Sequence, residues 1–422
     1  MDFQTKHHFP AHIGEQSMKV AFKDDSFAFE FVRNLGFVYY GGSDIGEMIA
    51  TAERITEGDF ESWFAEWDAL ARRILLRADA SFSAGHLESA RQGYLRASTY
   101  FRLAEFYLHG NPSDPRILSE SRASQQAYAE AAKLSGSTWE PVEIPYEGTT
   151  LPGYFYKVDN SGKPRPTLIF HGGYDSSLEE LYFAAAAAAV QRGYNCLTFD
   201  GPGQGALIRE QNLPFRHDWE AVVTPVVDYA LTRPEVDGNN LALMGMSLGG
   251  ILAARAVAFE HRFRAAILFD GVYSFGESVR GVLPKEAVAV LDAGDSARFG
   301  QIIGTATQHN TNLRWAITQG LWSFGASSIS DFLRKSEQFT LDGIIEQIKC
   351  PTLVLEAEED MFFADQPQKV YDGLKSAKTL FRFTREDGAE NHCQSGAFAY
   401  LHEVVFNWLD ETLNLHNQTI KG

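Results

Sequence analysis

Cysteine is scarce. Cys196, Cys350 and Cys393 are the three in the chain, odd in number and far apart, which excludes a disulfide framework or a cysteine-rich zinc site and fits reduced thiols. No apolar run approaches the roughly 18 residues that a membrane span requires. The opening Met1-Asp-Phe-Gln-Thr-Lys-His-His8 lacks the basic-then-apolar build of a secretory leader. No cluster of lysine and arginine reverses the formal net charge of −18, so phosphate backbones and anionic lipid are repelled, and neither nucleic acid nor membrane is expected as a partner. No linker rich in Gly/Ser or Pro interrupts the chain, so its parts are expected to pack on one another. The glycine-rich stretch Asp200-Gly-Pro-Gly-Gln-Gly205 has the wrong spacing for a phosphate or dinucleotide loop and no Lys-Ser/Thr after it. It reads as a tight turn, and no cofactor or metal is expected. The expected location is cytoplasmic, in soluble form, and the expected partner is a small-molecule substrate.

What is present is globular. With 45% hydrophobic and 13% aromatic residues over 422 positions, the chain exceeds one ordinary core. From Phe27 to Leu134 the periodicity is helical. Asp59 caps a helix with Phe60, Trp63, Phe64, Trp67, Leu70, Ala71 and Ile74 at three- and four-residue steps, and Leu87, Ala90, Tyr94, Ala97, Phe101, Ala104 and Leu108 share the face of the next. At Gly136 the character changes. Val142–Tyr146 and Leu151–Tyr156 flank Glu147-Gly148-Thr149-Thr150 as a hairpin. Short strands then alternate with helices: Thr167–Phe170, Cys196–Phe199, Leu241–Met244, Ala265–Phe269, Thr352–Leu355 and Thr379–Phe383 are largely apolar on both faces, as covered parallel strands must be. The alternation lapses between Glu277 and Ile348, a helical excursion placed where a lid would cover the strand ends. The expected organisation is a helical cap domain over 1–137 and an α/β catalytic domain over 138–422, with a helical insertion at about 277–348.

The apolar run Leu241–Met244 stops at Gly245-Met-Ser247-Leu-Gly249 and restarts as the helical Ile251–Val257. Strand, Gly-x-Ser-x-Gly turn and helix are what a nucleophile elbow requires, with Ser247 at the turn. At the start of the helix the Leu248 N–H is unpaired and suited to an oxyanion. His171-Gly-Gly-Tyr174 follows another strand and offers a second such N–H, from Gly173 or Tyr174. A nucleophilic serine needs a histidine base held by a carboxylate, and in a strand-ordered α/β sheet these follow in the order Ser, Asp, His. Asp360 lies just past the strand Thr352–Leu355, with Glu358 and Glu359 as rivals, and His392 lies in the loop after Thr379–Phe383. The neighbouring Cys393 reads either as a thiol whose modification would crowd His392 or as an inert buried one.

Tyr40-Gly-Gly-Ser-Asp44-Ile-Gly-Glu47, Gly58-Asp-Phe-Glu-Ser-Trp63-Phe-Ala-Glu-Trp67, Asp200-Gly-Pro-Gly-Gln-Gly205, Arg216-His-Asp-Trp219-Glu and Glu390-Asn-His392-Cys-Gln resemble the α/β-hydrolases related to 2,6-dihydroxypseudooxynicotine hydrolase. That group includes fungal polyketide chain-shortening hydrolases of melanin synthesis. The likeness extends over nearly the whole chain, including its helical N-terminal part. It implies an α/β-hydrolase fold and a serine hydrolase that cuts a carbon-carbon bond next to a ketone, with Ser247, Asp360 and His392 as the triad. A homodimer is a further expectation from the resemblance. Ester hydrolysis or acyl transfer on the same triad is the alternative, followed by a catalytically silent binding protein.

Overall fold

The computed structural model describes residues 19–415; residues 1–18, among them the stretch read above for a leader, and residues 416–422 lie outside the described residues. Eight strands form one sheet: β1 (Trp139–Tyr146), β2 (Thr149–Tyr156), β3 (Arg165–His171), β4 (Asn195–Phe199), β5 (Val236–Met246), β6 (Ala265–Phe269), β7 (Thr352–Ala357) and β8 (Lys378–Phe383). Their spatial order is β1-β2-β4-β3-β5-β6-β7-β8. β1 and β2 make the expected antiparallel hairpin. It turns at Glu147 and Gly148, whose φ values of 38° and 83° are of the sign that a two-residue hairpin turn demands. β2 runs antiparallel to β4, and every later pairing is parallel.

β4 and β6 are buried along their whole length, because helices cover both faces of the parallel sheet. β8 departs from the sequence reading. It is one of the two edge strands, and only Phe383 in it is buried. The alanine run Ala184–Ala189 is fully packed, but it opens as a π-helical turn, Tyr182–Ala186, before becoming α-helical over Ala187–Gln191.

Among the described residues five α-helices precede the sheet: α1 (Asp25–Gly36), α2 (Ile45–Ala52), α3 (Phe60–Ser83), α4 (Leu87–Glu105) and α5 (Pro115–Leu134). Asp59 caps α3 by accepting from the Glu61 and Ser62 amides, and Asp114 caps α5 with Pro115 at its first position. The buried stripe of α3 is Trp63, Trp67, Leu70, Ala71, Ile74 and Ala78. Trp63 donates from Nε1 to Leu103 O at 2.7 Å and packs its ring 4.5 Å from that of Phe27, joining α3 to α4 and α1.

Between β6 and β7 the chain forms five more helices, from Phe275–Gly281 to Ile329–Ser336. This insertion packs against the N-terminal helices. Trp315 stacks on Phe106 with centroids 5.7 Å apart. Thr311 donates to Asp24 Oδ2 at 2.6 Å, and the Arg314 guanidinium lies 3.8 Å over the Phe60 ring while donating to Gly58 O.

Trp63 combines complete burial with a satisfied indole N–H. Trp63→Ala should therefore lower the unfolding free energy by about 3–5 kcal/mol. Urea denaturation followed by circular dichroism measures this; a midpoint equal to that of wild type would remove α3 from the structural core.

Candidate active site

The C-terminal ends of β3, β5, β6, β7 and β8 lie along one edge of the sheet, where an α/β fold presents its ligands. At the end of β5, Ser247 adopts φ 61° between the strand and the helix Gly249–Phe259. A side chain there costs about 1 kcal/mol or more in backbone strain. The turn is held by Ser247 N–H donating to Phe269 O and Gly250 N–H donating to Ser247 O, both at 2.7 Å. Gly245 must be glycine, since a Cβ on it would fall 2.0 Å from Gly249 O.

Ser247 Oγ lies 2.9 Å from His392 Nε2, and His392 Nδ1 lies 2.9 Å from Asp360 Oδ2. With Nδ1–H donating to Asp360, Nε2 is free to accept the serine hydroxyl proton. Asp360 is itself fixed, because its Oδ1 accepts from the Phe362 and Phe363 amides at 2.8 and 3.0 Å. Glu358 and Glu359 engage Arg385 instead.

A second carboxylate, absent from the sequence reading, reaches the same imidazole. Asp270 Oδ2 stands 3.2 Å from His392 Nδ1 and accepts the Cys393 thiol proton at 2.9 Å. Asp270 follows β6 directly, is completely buried and has φ 77°. Burial pushes its carboxyl up to about 6 against the pull of His392. Burial alone would lower His392, but the Asp360 and Asp270 carboxylates outweigh it and raise the imidazole to about 9. Cys393 is the buried thiol of the second reading above, with its pKa pushed well up by burial and by Asp270. Among the described residues Asp270, His392 and Cys393 are the group with metal-ligand spacing. Their atoms already bond one another, and a thiol that keeps its proton beside a carboxylate is a poor ligand.

The loop after β3 lies against the elbow. A Cβ on Gly173 would fall 2.5 Å from Met246 O and 2.9 Å from the Leu248 nitrogen. Three parts of the chain hold this loop. Gln204, from the turn after β4, donates to Gly172 O and Gly173 O at 2.7 and 3.2 Å. From the insertion, Gln319 donates to Tyr174 O at 2.8 Å, and the Tyr174 hydroxyl donates to Ala316 O. From α1, Arg33 donates to Asp175 at 3.1 Å and to Glu180 at 2.8 Å, and also to Glu30 in its own helix. Arg102 of α4 lies 3.4 Å from Glu30 and 3.3 Å from Glu180, completing a buried group of two cations and three carboxylates. Although burial opposes it, Arg33 followed by Arg102 holds the Asp175 carboxyl below its usual value. With the loop carbonyls occupied, the Leu248, Gly173 and Tyr174 amides find no backbone acceptor among the described residues.

Above Ser247 and His392 is a cavity walled by Phe29 of α1, by Phe275, Trp315 and Phe332 of the insertion, and by Phe362. The Phe362 ring meets His392 edge-on at 4.8 Å. Asn312 and Ser278 supply polar atoms to a largely apolar wall.

A mostly parallel eight-stranded sheet with this order, covered by helices and preceded by a helical region, is the α/β-hydrolase fold. The chain belongs to the family described as FrsA-like esterases, whose model matches residues 57–287. It is 37% identical to Hydrolase LUC6 of a Fusarium species over 96% of this chain and 100% of that protein. It is 36% identical to 20-hydroxy-prefusarin hydrolase FUS2 of Gibberella moniliformis, again over 96% and 100%. The solved 2,6-dihydroxy-pseudo-oxynicotine hydrolase shares the fold at a TM-score of 0.73 and 21% identity, covering 92% of this chain and 97% of its own. The protein is thus an enzyme, a hydrolase of this fold.

Gly173→Ala inserts a methyl where the loop meets the elbow. It should lower hydrolysis of an activated aryl ester about 100-fold, the loss typical of a displaced hydrogen-bond donor, and should also lower the unfolding midpoint, because the methyl meets backbone atoms that must shift. Full activity in this variant would show that the loop takes no part in the reaction.

Proposed function

We propose that this hydrolase cleaves the carbon-carbon bond next to a ketone in a polyketide-like or acyl-aromatic substrate, with Ser247 as nucleophile, His392 as base and acid, and Asp360 as the carboxylate that orients it. The observation that carries the reading is the continuous hydrogen-bonded line from Ser247 Oγ through His392 to Asp360 at the floor of an aromatic cavity. Ser247 Oγ adds to the ketone carbon as His392 Nε2 takes its proton. The Leu248 N–H and that of Gly173 or Tyr174 hold the resulting oxyanion. Collapse breaks the adjacent carbon-carbon bond, and the electron pair leaves on carbon as an enolate or electron-rich arene, which His392 protonates. Water, activated by the same imidazole, then releases the carboxylic acid from Ser247.

A carbanion leaving group needs its proton delivered under control, and a walled, apolar cavity limits competing water. The walls come from α1 and from the insertion, so both serve as cover rather than as separate docking modules. One relative, FUS2, is named as a hydrolase of a small organic molecule, 20-hydroxy-prefusarin. Ester hydrolysis on the same residues is the second reading, favoured by the esterase description of the family.

Mass spectrometry of products from a panel of aryl 1,3-diketones beside simple esters of matched size separates the two. A carboxylic acid plus a shortened ketone is expected from a diketone, with kcat/KM above that of the esters; turnover of esters alone would establish the second reading. Ser247→Ala should lower either rate by several orders of magnitude without loss of fold, and near wild-type turnover would exclude a serine nucleophile.

A further inference from the structure

We infer that Asp270 is a second positioning carboxylate for His392, so that the acid of the Ser247–His392–Asp360 line is duplicated; this rests on the nucleophile and base assigned above. The geometry is specific. Two carboxylate oxygens face one imidazole nitrogen, Asp360 Oδ2 at 2.9 Å and Asp270 Oδ2 at 3.2 Å from His392 Nδ1. They arrive from the ends of adjacent parallel strands, β7 and β6. Each has its own anchor: Asp360 the two amides of Phe362 and Phe363, Asp270 the thiol of Cys393. Asp270 Oδ1 is buried and finds no partner among the described residues. A polar atom left bare inside a core costs free energy, as does a left-handed backbone at a non-glycine residue. Asp270 and Cys393, with φ of 77° and 54°, carry that strain side by side at this site.

The electrostatic benefit of a second carboxylate at the imidazole N–H appears when His392 becomes imidazolium. Proton uptake from Ser247 places one positive charge between two negative ones. The charged and titratable groups around the imidazole are Asp360 from the β7 loop, Asp270 from the end of β6, Cys393 beside it, Arg33 from α1 and Asp175 from the β3 loop. The two nearest, both carboxylates, set its basicity.

The consequence is a base that is strong and late to deprotonate. Reactivity of Ser247 requires neutral His392, so it should rise with pH through about 9, the value to which the paired carboxylates raise the imidazole. Replacing Asp270 with the isosteric amide removes one negative charge, and the midpoint should fall by about 1 pH unit, as for loss of an opposite charge in contact. Asp360→Asn leaves Asp270 to hold the ring. Its rate should drop about 10–100-fold rather than the roughly 10⁴-fold seen where a Ser-His-Asp enzyme has one acid.

The measurement is the rate of Ser247 phosphonylation by an alkyl fluorophosphonate between pH 5 and pH 10, read by intact-protein mass spectrometry. Wild type, Asp270→Asn, Asp360→Asn and His392→Ala are compared, which needs no knowledge of the substrate. A downward shift of the Asp270→Asn midpoint, with Asp360→Asn labelling well above His392→Ala, supports a shared acid. An Asp270→Asn profile that overlies wild type, or Asp360→Asn labelling no faster than His392→Ala, overturns it. The Asp360→Asn arm keeps Asp270 intact and decides the matter even where Asp270→Asn misfolds. Absence of wild-type labelling at Ser247 at every pH would instead overturn the nucleophile assignment itself.

Discussion

The buried guanidinium of Arg33 is the interaction on which the rest of the site depends. It belongs to the first described helix, yet besides Glu30 of that helix it donates to Asp175 and Glu180, two acids of the loop that lies against the serine elbow. Ion pairs taken out of water stabilise little beyond their own desolvation, but removing one partner leaves charges stranded and costs about 3–5 kcal/mol. The cluster therefore fixes position. It fastens α1 to the active-site loop and, through Arg102, α4 as well. With Gln204 and Gln319 holding the same loop, the N-terminal helices, the sheet and the insertion all meet at one short segment.

The N-terminal helices, the sheet and the insertion are thereby joined around the site by side-chain contacts. The sheet alone aligns Ser247, Asp360, His392 and Asp270 along its edge, because their strands are neighbours. It does not enclose them. Phe29 from α1 and Trp315 from the insertion do so, and Trp315 also stacks on Phe106 of the N-terminal helical region. Cover, loop geometry and substrate wall thus share residues, and a change in one is expected to be felt in the others.

How much of this was legible in the sequence follows from the range of each interaction. The elbow was readable because Gly245-Met-Ser247-Leu-Gly249 encodes a local backbone requirement, now visible as φ 61° at Ser247 and the close approach at Gly245. Asp360 and His392 were readable from their places after strands. Asp270 was not, although Phe269-Asp270-Gly271 also follows a strand: only the pairing of β6 between β5 and β7 shows that this position faces the same imidazole. Asp200-Gly-Pro-Gly-Gln-Gly205 was read as a turn, and a turn it is, but its use lies in the Gln204 side chain reaching back to the β3 loop. Arg33 carried no signal at all, since its partners lie in a distant part of the chain and an arginine in a helix is ordinarily solvated. The exposed face of β8 was misread for a related reason: edge position belongs to topology, not to local pattern.

The central claim, that the N-terminal helix sets the geometry at Ser247 through Arg33, is tested most directly by kcat/KM of Arg33→Lys on the best substrate, with the unfolding midpoint measured on the same sample. Lysine keeps the charge but cannot bridge two carboxylates with a planar fork. Arg33→Lys should lose about 10–100-fold, the range expected for an active-site loop displaced by a fraction of an ångström, carried by kcat in a protein that remains folded. A variant as active as wild type would contradict it.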